Sequence, residues 1–80
     1  MIPYSVVAQA FLREGFETHQ GDPYVLRSRR DGTLLFLDVV DSKVDLEFLI
    51  DDIGQVNKRL SERVERSVQM ILREESASFQ

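Results

Sequence analysis

The sequence predicts an α/β fold of the α+β type: a short, mainly antiparallel three-stranded sheet flanked by an N-terminal helix and a long C-terminal helix. Three observations predict it. Val6, Val7, Ala10 and Phe11 recur near helical spacing at the start of the chain. Two runs of β character, YVLRSR and TLLFLDVV, flank an Asp-Gly pair in the middle. From Leu46 to Ile71, apolar residues return every three or four positions.

The first helix is expected over about residues 3–14. Pro3 suits its first turn, where a missing N–H loses nothing, and Ser5 is an alternative N-cap. Gly15 stands where the chain must leave the helix through a left-handed conformation. Phe16 is then placed to fold back on Phe11. A short strand is expected over 16–19, followed by a turn at Gly21-Asp22-Pro23.

In YVLRSR, Val25, Arg27 and Arg29 point one way, and Tyr24, Leu26 and Ser28 the other. One face is apolar and the other largely basic, as in a strand covered on one side. Asp31-Gly32 predicts a tight hairpin. TLLFLDVV is apolar on both faces, which predicts the central strand of the sheet.

Leu46, Leu49, Ile50, Ile53, Val56, Leu60, Val64, Val68 and Ile71 make one long helical stripe. Ser42 with Asp45 predicts a capping box at its start. The segment KVDLEF also alternates as a strand would, but the helical pattern runs across it unbroken. Gly54 interrupts the stripe and is the expected point of a bend or break. An unbroken helix of some thirty residues would span about 45 Å, more than a small sheet can cover. Either Gly54 divides it, or the overhanging stripe packs on another copy. A single domain over 1–75 with a frayed tail over 76–80 is expected.

Composition narrows the classes. Of 80 residues, 42% are hydrophobic and 30% charged, an ordinary globular balance. No cysteine is present, which excludes disulfides, cysteine-bound zinc and thiol catalysis. No apolar run reaches the roughly 18 residues of a membrane span, and a cytoplasmic location is the default expectation. The net charge of −4 counts against tight nonspecific nucleic-acid binding. A chain this short buries only about 60% of its unfolded surface. A homo-oligomer, most simply a dimer, is therefore expected, with Val56, Leu60, Val64, Val68 and Ile71 as its interface.

The layout VVAQAFLREGFET, DPYVLRSRRDGTLLFLDVV, GQVNKRLSERVERSVQMILRE resembles the core of the restriction-endonuclease-like (PD-D/E-x-K) superfamily over roughly residues 5–75. RDGTLLFLDVV is similar to the hairpin of short bacterial members, which runs from RDG into an apolar strand ending in an acid-x-lysine triplet. The resemblance implies two carboxylates holding a divalent metal, usually magnesium, against a phosphate, with a lysine to orient or activate water. Asp38 matches the strand-end acid, and Asp22 is the candidate for the earlier one. Val40 occupies the lysine position and lacks that chemistry. Asp41 and Lys43 repeat the spacing later, in DSK, which otherwise reads as the start of the last helix. Magnesium is implied only if this chemistry is intact; otherwise no cofactor is expected.

Other polar groups carry weaker signals. His19 has no ligand partner near it in sequence. The scattered glycines form no phosphate loop. Arg27, Arg29 and Arg30 cluster before the hairpin turn and suit a nucleic acid or an acidic partner. Asp45, Glu47, Asp51 and Asp52 could meet them in another subunit. Lys58, Arg59, Arg63 and Arg66 on the last helix are interleaved with Glu62 and Glu65, a pattern that favours ion pairs along a solvated face. The expected function is a non-catalytic binding or interaction protein that self-associates. The alternatives are a magnesium-dependent nuclease with an atypical site and a structural oligomerisation module.

Overall fold

Residues 1–77 are described by a computed structural model. The first helix, α1, spans Tyr4–Arg13. Pro3 precedes it at the N-cap position in an extended conformation, and no side chain caps the helix, so Ser5 lies inside it rather than at its cap. Gly15 ends it with φ of 90°, the conformation expected of a glycine just past a helix. Phe16 does fold back: its ring meets Phe11 edge-on at 5.3 Å.

Strand β2 (Phe16–His19) pairs antiparallel with β3 (Asp22–Ser28), which pairs antiparallel with β4 (Leu34–Phe36). The order is β2-β3-β4, so the expectation of TLLFLDVV as the central strand is overturned. The half-polar β3 holds the middle, and β4 is an edge. TLLFLDVV is moreover not one strand. It leaves the sheet after Phe36, and Val39–Val40 form β5 in a second sheet. The apolar residues on both faces of the run are divided between environments: Leu37 is buried, whereas Phe36 is 74% exposed.

The Asp31-Gly32 hairpin is present but is not a two-residue turn. Ser28 N–H donates to Thr33 O and Gly32 N–H to Ser28 O, which leaves residues 29–32 as the loop. Only Gly32 adopts positive φ there. Asp31 instead accepts from Thr33 N–H at 3.0 Å. Likewise the turn before β3 lies at residues 20–21, and Asp22 and Pro23 already belong to the strand.

The segment DSK does not start a helix. Asp41 and Ser42 take φ of 52° and 60° and form the two-residue turn between β5 and β6 (Lys43–Val44). Positive φ at both positions is the signature of a type I′ hairpin. β1 (Ile2–Pro3) adds to β6, and Tyr4 N–H donates to Ser42 O at 2.8 Å. The capping box of Ser42 with Asp45 is therefore replaced by Asp45 alone, whose carboxylate accepts from Phe48 N–H at the start of α2 (Leu46–Val56).

The long stripe is divided, though not at Gly54. Asn57 departs from helical geometry, ends α2 and caps α3 (Lys58–Ala77) by accepting from Leu60 N–H at 3.0 Å. Gly54 stays helical, and a Cβ there would lie 3.5 Å from Ser61 Oγ. That is an ordinary contact, and Ser61 donates to Ile50 O across the corner at 2.8 Å. α3 continues through Ser76 to Ala77, beyond the expected end of the domain; the rest of the expected tail, 78–80, lies outside the described residues.

The core gathers Val6, Val7, Ala10 and Phe11 of α1, Phe16 and Leu26 of the sheet, Leu49 and Ile53 of α2, and Val64, Val68 and Ile71 of α3. All three helices thus lie to one side of the β2-β3-β4 sheet. Its other face carries Glu17, Arg27, Leu34 and Phe36, all exposed, together with Val25, which is buried.

Candidate functional site

Asp22 opens β3, whereas Asp38 lies past the end of β4, in the connection to β5. Leu37 N–H donates to Tyr24 O within that connection. Alternation along β3 sets Asp22 on the side of Tyr24. The environment of Tyr4 agrees. Burial, first, and then the charges of Tyr24 and Asp22 hold its phenol above the ordinary tyrosine range. One Asp22 carboxylate oxygen is already occupied by Tyr24 N–H at 2.9 Å. Lys43 lies in the other sheet, directly opposite Val40. Among the described residues no three acidic or histidine side chains gather as a metal site. His19 is exposed at the strand end.

The bases are divided by ion pairs that sequence spacing did not anticipate. Arg27 meets Glu17 on the neighbouring strand at 3.4 Å, while Arg29 and Arg30 are exposed in the loop. Arg63 reaches Glu14 at the end of α1 at 2.8 Å, and Ser67 donates to the other oxygen of that carboxylate. Arg13 grips Glu74 through two bonds, which lowers the glutamate pKa and raises that of the arginine. These partners are far apart in the chain, so i, i+4 counting could not find them.

The expected interface residues also separate. Val64, Val68 and Ile71 are fully taken up by this chain's own core, which corrects their placement on an outer contact surface. The physical reason is the break at Asn57. It turns α3 back beneath α1, so the second half of the stripe meets α1 instead of solvent. Val56 remains 91% exposed, and Leu60 is half-buried.

Another surface emerges at the open side of β4. A groove of about 520 Å³ runs between the β3–β4 loop and the α2–α3 corner, lined by Phe16, Leu35, Ile53, Val56 and Leu60 and bordered by Leu34. Arg30 and Asp52 stand among its polar lining. Beside it, Leu34 and Phe36 project from the far face of β4, 39% and 74% exposed. No described strand pairs with the outer edge of β4. Sheet edges are ordinarily protected by charge, proline, a bulge or a covering element. Leu-Leu-Phe has none of these, and its brevity is its sole protection. The sequence carries the signal in these three apolar residues, but an apolar run alone does not distinguish an exposed edge from burial on both faces.

No family model, curated protein or solved structure matches this chain. No described helix is long and apolar enough to cross a membrane.

Proposed function

We propose that this chain is a non-catalytic interaction protein that associates with copies of itself. The observation that carries the reading is β4: an uncovered, uncharged sheet edge whose Phe36 is 74% exposed beside an apolar groove. Sedimentation equilibrium tests this reading. A dimer that Phe36→Glu weakens at least about tenfold is expected, the loss of roughly one well-buried aromatic contact. A chain that stays monomeric up to millimolar concentration overturns the reading.

One observation favours a second reading, a magnesium-dependent nuclease of atypical geometry. The β5–β6 register sets Lys43 opposite Val40, the position where the resembled superfamily has its lysine. Among the described residues no three acidic or histidine side chains gather, which weighs against it. Nicking of supercoiled DNA in Mg²⁺ that disappears in both Asp38→Ala and Lys43→Ala would establish this second reading. The expected result is no nicking.

A further inference from the structure

We infer that two copies join edge to edge through β4 in one antiparallel register, with Leu34 of each opposite Phe36 of the other. The inference rests on the self-association reading and specifies its surface. The direction of the backbone groups decides the register. Ser28 N–H donates to Thr33 O, and Leu37 N–H to Tyr24 O. With Leu26 opposite Leu35, residues 33, 35 and 37 therefore turn their N–H and C=O groups toward β3. Leu34 and Phe36 turn theirs to the open edge. A second β4 running antiparallel, with Leu35 on the two-fold axis, matches every one of these groups. Leu34 N–H donates to Phe36 O of the second copy, Phe36 N–H of that copy donates to Leu34 O, and symmetry repeats both bonds.

Other registers do worse. Setting Leu34 opposite itself leaves the Phe36 groups facing Gly32, in the loop. Setting Phe36 opposite itself leaves the Leu34 groups facing Asp38, beyond the strand. A shift by one residue points the outer side chains to the wrong face. The side chains agree with the backbone. On the exposed face Arg27 neighbours Leu34, and Val25 neighbours Phe36. The proposed register therefore sets Leu34 against Phe36 of the second copy and Phe36 against Leu34, an apolar row from both copies. Arg27, across from Leu34 on β3, borders this row and is paired with Glu17. The two three-stranded sheets become one continuous sheet with no open β4 edge.

Disulfide trapping tests the register, because the chain has no cysteine to confuse it. Leu34→Cys and Phe36→Cys are made separately; both side chains are exposed, so the core is untouched. In the proposed register the two positions face each other at a Cα separation of about 5.5 Å, within disulfide range. Each position lies diagonal to its own symmetry mate, about 7–8 Å away and out of reach. Under mild oxidation the mixture is expected to form covalent dimer at least about tenfold faster than either variant alone. Equal or faster trapping by one variant alone overturns the register. Sedimentation of the parent chain and of the variants before oxidation separates the remaining outcomes. Variants that dimerise but trap in no combination overturn the β4 edge and leave self-association standing, whereas a monomeric parent chain overturns both.

Discussion

Tyr4 is partly buried at the start of α1, where its hydroxyl donates to Pro23 O and its ring meets Tyr24 edge-on at 5.1 Å. Because its pKa is raised in the folded chain, the fold holds the phenol proton more tightly than the unfolded chain does. This contribution to stability is complete below the ordinary tyrosine pKa near 10. It is lost as pH rises through the higher folded value. Urea denaturation between pH 8 and 11 is expected to show an alkaline loss of stability that shrinks in Tyr4→Phe. An unchanged profile in that variant would assign the loss to other groups. Ser42 offers a second test at this scale. A serine held at φ of 60° is strained, and Ser42→Gly is expected to stabilise the chain by up to about 1 kcal/mol. Destabilisation would mean that the positive φ is not kept in solution. Little of this was legible in the sequence. Asp-Ser is a weak hairpin signal beside Asp-Gly, and the partners of Tyr4 lie in another element.

Among the elements, the α2–α3 corner shows how an expectation can be right in kind and misplaced in position. A break in the stripe was expected at Gly54, from helix propensity. Asn57 makes it, because its side chain caps the following helix while its backbone leaves the preceding one. Asn57→Ala is expected to lower stability by about 1 kcal/mol, the usual loss of an N-cap. Gly54→Ala tests the other half of this account. The added Cβ makes ordinary contact with Ser61, so the helix gains up to about 1 kcal/mol of propensity. A larger residue such as leucine would crowd Ser61 and disturb its bond to Ile50 O, with a net loss. Thermal melts of these three variants check the order. Gly54→Ala less stable than the parent chain would mean that the helices need more space there than the geometry shows. The candidate site shares this partial legibility. Exposed Val56 and half-buried Leu60 belong to the expected stripe, but their neighbours Leu34 and Leu35 belong to a strand that was expected to be buried.

For the whole molecule, the decisive feature is that every helix lies on one side of the sheet, so β4 is left with an open edge and an uncovered face. If that edge closes on a second copy, folding and association are linked by mass action. The melting temperature is then expected to rise with protein concentration, and Phe36→Glu is expected to remove the dependence while retaining the monomer core. A melting temperature independent of concentration in the parent chain would separate stability from association.

The sequence by itself determined the helical faces of α1, α2 and α3, the glycine after α1, and the hairpin between β3 and β4. Each of these depends on side-chain periodicity or on backbone preference over a few residues. Only the tertiary structure decided that β3 is central, that TLLFLDVV is split between two sheets, and that Val64, Val68 and Ile71 serve the chain's own core. The physical reason is that periodicity shows which face is apolar and not what covers it. Covering depends on strand order and on a helix corner set by one asparagine. The open edge at Leu34 and Phe36 follows from both.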